Sequence, residues 1–402
     1  MVAFPTPSTD ANPPITSTSP LEGEVAAVSA AHPAGGGCKF PSIGLSLSDR
    51  PADPTLLPVL RPAHLRVELD LTRPDFIDRL RHATAEANTL GAGVELALTM
   101  PDECDRQLES ILLALEGRGR PRFCRHLLFR HGDWTASGDW TWHAVARLRH
   151  YQSRAVCYSG TQANFTELNR NRPPVELLDG VCYSIQPQEH AFDNASLVEC
   201  CAAIADTVRT ARSFCGDKPL SVGPITLRKR VNPYATGPWV PPPPDPRQGS
   251  LFGAAWTLGA LKYLAESGAA SATFYETTGP RGVTDGGRVF PLFHVLADAN
   301  EWPGATVLKC VASDPLRFDA LLLKRGTASR VMLANMAAEP LTVTVDWPFG
   351  PQVFARTLDE TTFDLATADP VAFRASIGDT LPSTDGRLTL LLKPYAYVRL
   401  DG

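Results

Sequence analysis

The sequence predicts an α/β chain: a (β/α)₈ TIM barrel followed by a C-terminal antiparallel β-sandwich. Three observations predict it. Eight short apolar runs, at residues 43–48, 64–70, 94–99, 123–130, 155–160, 181–186, 219–226 and 270–276, alternate with helical stretches, and eight strands with interleaved helices close a parallel sheet into a barrel. From about residue 305 seven β-like runs (ATVLKCV, FDALLLK, SRVMLANM, LTVTVDW, VFART, LTLLLK, AYVRL) follow with no helix between them, which describes a small sandwich. The length of 402 residues exceeds what one core usually serves, so a unit of roughly 250 residues and another of about 100 are expected.

In chain order, residues 1–40 are rich in Pro, Ser, Thr, Ala and Gly and read as a disordered leader. The barrel domain is expected over 41–303 and the sandwich over 304–402. The first long helix, Pro74 to Leu90, puts Phe76, Ile77, Leu80, Ala83 and Ala87 on one face and stops at Gly91. Further helices are expected at 102–116, 139–151, 196–214, 249–267 and from Pro291. No glycine fingerprint for a dinucleotide follows the first strand, so the barrel stands ahead of an open doubly wound sheet.

Composition narrows the function classes. Hydrophobic residues make up 44% and charged residues 20%, close to an ordinary soluble globular chain. The net charge of -5 comes without a basic stripe, so nucleic acid is not an expected partner. No apolar run is long enough for a membrane span and no signal peptide is legible, which makes the cytoplasm the expected address and a membrane an unexpected partner. The nine cysteines have no CxxC pair and read as reduced thiols. Neither HExxH nor a GxSxG elbow occurs, so no metal, no cofactor and no serine nucleophile is expected. Oligomeric state is left open.

In a (β/α)₈ barrel the active site lies at the C-terminal ends of the strands. Two carboxylates stand there. Glu167 follows the run AVCYSG, in TQANFTELNR, with Asn164 and Asn169 about it; Glu276 ends the last strand, ASATFYE, next to Tyr275. Two carboxylates flanking a sugar suffice for acid/base hydrolysis, one protonating the leaving oxygen while the other attacks or activates water. If residues 43–48 form the first strand, the pair follows strands five and eight; if not, four and seven, with a short eighth strand near 281–283. The interval is three strands either way.

Other rim residues are candidates for binding substrate. Gln186 and His190 follow VCYSI, with Glu189 and Asp193 beside them; His190 reads equally as a loop histidine. Arg66 and Glu68 alternate with apolar residues in HLRVELD and point the same way, so they pair with each other or Arg66 pairs with a catalytic Glu. Arg228, Asn232 and Tyr234 open a loop of about 20 residues after LSVGPIT, long enough to suggest function. Trp239 and Trp134 are candidates for stacking on a sugar, whereas Trp140 and Trp142 are expected to begin a helix and pack on the barrel.

The Glu pattern resembles that of the clan A glycoside hydrolases, and the segments TELNR, SIQPQEHAFDNASLVE, VGPITLRKRVNPYA, DPRQGSLFGAAWTLGALKYLAESG and FYETTGPRGV are similar to those of the D-apionate lactonase family, from about residue 43 to 402. That resemblance implies a hydrolase opening D-apionolactone to D-apionate in apiose catabolism. By analogy with the clan, Glu276 is the base or nucleophile and Glu167 the acid. Thr166 stands where the clan has Asn, and the short leader stands where the family carries a further domain. The alternatives are a retaining glycoside hydrolase using the same pair, with carboxyls about 5–5.5 Å apart, and an inactive carbohydrate-binding barrel.

Overall fold

A computed structural model describes residues 26–30, 37–116, 121–135, 137–346, 352–376 and 378–402. Its centre is a closed parallel barrel. Strands one to eight are Ser42–Ser46, His64–Asp70, Gly93–Met100, Phe123–Arg130, Cys157–Asn164, Gly180–Ile185, Leu220–Ile225 and Ser271–Thr278, and strand eight pairs with both strand seven and strand one. The first apolar run is therefore a barrel strand. Glu167 follows strand five and Glu276 lies on strand eight, one position round from the four and seven of the clan. The segment Gly282–Asp285 pairs along the outside of strand eight and then with Arg288–Val289, without entering the closure.

Helices form where apolar residues recur on one face. In Phe76–Leu90 the buried residues include Leu80, Ala83, Ala87 and Leu90, and the chain leaves the helix at Gly91 with φ +62°, a left-handed cap that glycine adopts without a Cβ clash. Asp193 caps Asn194–Cys215 by accepting from the Ser196 amide. Leu251–Glu266 is buried on nearly every face, because it is wedged between the barrel and the sandwich; its Lys262 reaches across to Asp319 at 2.9 Å.

The sandwich has two sheets. One orders as Cys310–Ala312, Ala26–Ala30, Leu341–Asp346 and Arg387–Leu392; the other as Asp379–Pro382, Gln352–Leu358, Tyr397–Asp401, Ala328–Asn335, Phe318–Arg325, Thr306–Leu308 and Cys38–Lys39. Three expectations change. Residues 26–30 and 38–39, read as leader, are strands of this domain, and 26–30 runs parallel to Leu341–Asp346 in an otherwise antiparallel fold; residues 1–25 and 31–36 of the leader lie outside the described residues. The run ATVLKCV divides into two strands serving different sheets. Two short helices, Phe363–Ala368 and Pro370–Ala375, interrupt the strands. A two-residue strand carries too little pattern to read, and sheet partners supply the backbone bonds that low-complexity sequence does not advertise. Among the described residues no helix is long and apolar enough to cross a membrane.

Candidate functional site

The barrel interior is divided. Ala97, Leu127, Phe129, Tyr158 and Cys182 form an apolar cluster from strands three to six. Beside it rises a column of alternating charge. Arg125 contacts Glu95 (Nε to Oε2, 2.5 Å), Glu95 faces Arg66 (3.7 Å), Arg66 faces Glu68 (3.6 Å), and Glu68 Oε2 accepts from Arg230 Nη2 at 2.8 Å. Arg66 also donates to the Gly223 carbonyl at 2.7 Å, while its Nε and Nη2 have no hydrogen-bond partner although the residue is 1% exposed. Sequence alternation put Arg66 and Glu68 on one face, and both are there. An isolated buried guanidinium costs several kcal/mol, which is why this one lies between two carboxylates. Burial works against ionised Glu95 and Glu68, but Arg125 beside the first, and Arg230 with Arg66 beside the second, hold each carboxyl down at about 2.

A bulge aims Glu276. In strand eight Phe274 pairs with Leu45 and Glu276 with Ser46, so Tyr275 is an extra residue, and its φ is +37°. Regular alternation from Thr273, whose hydroxyl faces Glu95, would turn Tyr275 inward and Glu276 out among the helices. The bulge reverses that phase. Tyr275 is buried, with its hydroxyl 2.9 Å from that of Thr257 on the outer helix, and so it is not at the mouth as expected from sequence. A left-handed tyrosine stores about 1–3 kcal/mol of strain, tolerable only where packing holds it. The Glu276 carboxylate accepts no hydrogen bond and makes no ion pair among the described residues. Burial raises its pKa, Arg230 and Arg281 oppose the shift, and Glu68 and Asp49 add to it.

The loop after strand seven supplies most of the remaining charge. Arg228 donates to Asp245 and to the Pro243 carbonyl, fixing the two ends of the loop to each other. Lys229 pairs with Glu189 at 2.7 Å. Arg230 reaches Glu68. Asn232 accepts from the Tyr234 amide at 3.1 Å, a turn that sets the tyrosine. The Tyr234 hydroxyl donates to Glu167 Oε1 and accepts from Arg170 at 2.5 Å. Arg230 and Tyr234 are four residues apart, a span of at most about 14 Å, so one short segment serves both carboxylates.

Glu167 sits in the first turn of the helix Phe165–Arg170, buried, with Arg170 Nη1 at 3.4 Å. It borders a cavity of about 510 Å³ bounded also by Phe165, Gln186, Glu189, His190 and Tyr234, within the size range of small-ligand sites. Gln186 and Asn164 donate to Glu189 Oε2, at 2.7 and 3.5 Å, and exposed His190 lines the same wall. Asn169 lies on the exposed side, bonded to Arg172. Trp140 is buried as expected, but Trp142 is 55% exposed. A larger cavity of about 1090 Å³ lies under Phe40, Ile43, Ala63 and Ala269, at the N-terminal end of the strands and away from these carboxylates.

The structure thus brings together Arg66, Glu68 and Glu276 on one side, and Asn164, Glu167, Gln186, His190 and Tyr234 on the other. Glu189, expected at the rim, joins them, as do Arg230 and Lys229, which the sequence reading passes over; the run Arg228, Lys229, Arg230 directly after a barrel strand is the available signal. Among the described residues no group of three or more His, Cys, Asp or Glu is placed to hold a metal.

Residues 46–304 match the family described as D-apionate lactonase, TIM barrel domain, and residues 315–400 match its C-terminal immunoglobulin-like domain. The chain belongs to that family. It is 30% identical over 201 residues to the D-apionate lactonase of Brucella anthropi, covering 46% of this chain and 32% of that protein, so the match spans about a third of the relative's length. Among solved structures it is similar to a GH30 endoxylanase from Clostridium papyrosolvens (TM-score 0.63, 10% identity, 94% of this chain and 100% of that one). It is also similar to a bifunctional glucanase-xylanase from a metagenome library (TM-score 0.66, 10% identity, 94% and 99%). At such identity these two likenesses concern the fold alone.

Proposed function

We propose that this member of the D-apionate lactonase family is a cofactor-free hydrolase of sugar lactones, with D-apionolactone the substrate its family indicates. Glu276 takes a proton from water as the water oxygen bonds to the lactone carbonyl carbon. The tetrahedral intermediate then breaks its bond to the ring oxygen, which leaves as a hydroxyl after receiving a proton from the Glu167 and Tyr234 side of the mouth. The product is the open-chain acid, which ionises to the aldonate.

The observation that carries this reading is the state of Glu276. It is aimed inward by a strained bulge, left without a hydrogen bond, and shifted toward higher pKa by burial. A base tuned upward and free of partners suits proton abstraction. Depressed Glu68 beside it remains ionised. Two neighbouring carboxylates pushed apart in pKa divide the work: one exchanges protons, the other holds a fixed charge.

The test is a substrate screen of the purified chain against aldonolactones, D-apionolactone included, and against aryl glycosides. Acid release from lactones alone, abolished in Glu276→Gln, is the expected result. Phenol release from aryl glycosides identifies a glycosidase instead. Inactivity on both, with sugar binding retained in calorimetry, identifies a binding protein.

A further inference from the structure

We infer that Arg230, anchored by Glu68, forms an oxyanion- and carboxylate-binding subsite facing Glu276, which takes the lactone carbonyl oxygen during hydrolysis and the carboxylate of the aldonate afterwards. The first half rests on the lactonase reading above; the carboxylate half stands without it.

Charge along the interior column is unequal. Arg125, Arg66 and Arg230 are three cations against two held anions, Glu95 and Glu68. His64, buried beside Glu95, adds nothing, because burial lowers its pKa to about 4 and keeps it neutral. One further negative charge completes the column. With Glu276 ionised the carboxylate supplies it; with Glu276 holding the proton taken from water, the oxyanion does. The charge that leaves one group in this step appears on the other, and Arg230 lies where it acts on both.

Donor availability, taken with the Glu68 anchor, points to the same residue. A guanidinium has five N–H donors, and Arg230 spends one in hydrogen bonding among the described residues, on Glu68. Its neighbours are committed: Lys229 to Glu189, Arg228 to Asp245 and the Pro243 carbonyl, Arg170 to Glu167 and Tyr234. Arg281, the other cation acting on Glu276, likewise spends one donor, on the Pro242 carbonyl, but among the described residues no carboxylate anchors it as Glu68 anchors Arg230. Arg230 influences Glu276 without forming an ion pair with it. A ligand oxygen fits a guanidinium with free donors opposite a carboxylate with none of its own. Glu68 is the positioning residue; Arg66 beneath it, with buried and unsatisfied N–H groups, keeps its carboxylate ionised and in place.

The test uses D-erythronate, a four-carbon aldonate, and erythritol, its neutral counterpart, in calorimetry with the wild type, Arg230→Gln, Arg230→Lys and Glu68→Gln, each shown to be folded by circular dichroism and measured well below its own melting transition. Wild type is expected to prefer erythronate. Arg230→Gln is expected to lose at least about tenfold in erythronate affinity with erythritol unaffected, and Arg230→Lys to recover part of it. In lactone hydrolysis Arg230→Gln is expected to lower kcat by about 10²-fold, as removal of an oxyanion donor does.

The pH profiles separate positioning from mere structure. The charged groups acting on Glu276 are Arg230, Arg281, Glu68 and Asp49. Removing the Arg230 cation moves the acid limb of kcat/KM to higher pH, and removing the Glu68 anion moves it to lower pH. Equal erythronate affinity in wild type and Arg230→Gln overturns the subsite, and lactone turnover that persists in that case leaves the lactonase reading intact. Arg230-dependent erythronate binding without any lactone turnover does the reverse.

Discussion

Two buried ionic clusters, one at the barrel mouth and one between the domains, are built from the same residue types and differ in how completely they are satisfied. In the second, Asp298 on the helix Pro291–Asn300 has both oxygens engaged. Arg374 at 2.9 Å, Arg399 at 3.2 Å and Arg356 meet Oδ1, and the Tyr397 hydroxyl donates to Oδ2 at 2.9 Å. Burial alone would push Asp298 up, but these arginines hold it well below the ordinary carboxylate range. At the mouth Glu276 has no bonded partner, Arg66 has idle N–H groups and Arg230 has spare donors. The cluster whose carboxylate is saturated, although Arg399 Nε there has no hydrogen-bond partner, fixes two domains to each other. In the proposed function the unsaturated one receives the ligand, and the surrounding barrel holds its unpaired groups in place.

The comparison breaks most decisively on Glu276 and Asp298. Glu276→Gln is expected to reduce lactone turnover by about 10²–10⁴-fold, with the urea midpoint unchanged or raised; a variant that keeps its turnover removes Glu276 from the chemistry. Asp298→Ala strands three arginines and is expected to cost about 3–5 kcal/mol of stability. Its turnover per folded molecule should stay near wild type, and a loss below about 1 kcal/mol in chemical denaturation would show that the cluster is not saturated in the way described.

Acid titration sharpens the contrast through opposite signs. Glu68 has a folded pKa of about 2, below its unfolded value near 4.5, so the stability it contributes is present above about pH 4.5 and is lost as the pH falls through about 2. Glu276 is raised in the folded chain, so it favours folding only while protonated and opposes it once the pH passes its folded pKa. Glu276→Gln should therefore gain on wild type as the pH rises from 4 to 7, and an opposite slope in paired melting curves rejects the upward shift. The smallest effect belongs to the bulge. Tyr275→Phe loses the bond to Thr257, worth about 1 kcal/mol, and turnover should fall more than stability alone explains, because the phase of Glu276 depends on that anchor.

All eight barrel strands and the main helices were legible, since each repeats its pattern over several residues. That Glu276 ends a β-run is legible, but simple alternation turns it outward, and the inward aim comes from Tyr275 being bulged. That same fact removes Tyr275 from the substrate side. In sequence Arg228, Lys229 and Arg230 are three equivalent cations; Arg228 is tied to Asp245 and Lys229 to Glu189, and Arg230 is the one that reaches Glu68. Asn169 was chosen for nearness in sequence to Glu167, and the helix Phe165–Arg170 turns it to solvent.

What the sequence determined by itself is periodic or local: the (β/α)₈ order, the sandwich after it, the shared face of Arg66 and Glu68, and a carboxylate at the end of two strands. What only the tertiary structure decided is register and encounter. Barrel closure set the strand count at five and eight, a bulge set the direction of Glu276, and the loop after strand seven brought Arg230 to Glu68, 162 residues away, and Tyr234 to Glu167, 67 residues away. A repeat of 2 or 3.6 residues states which face a side chain takes within its own element. Which charges then meet depends on how distant elements pack, and no short stretch of sequence carries that.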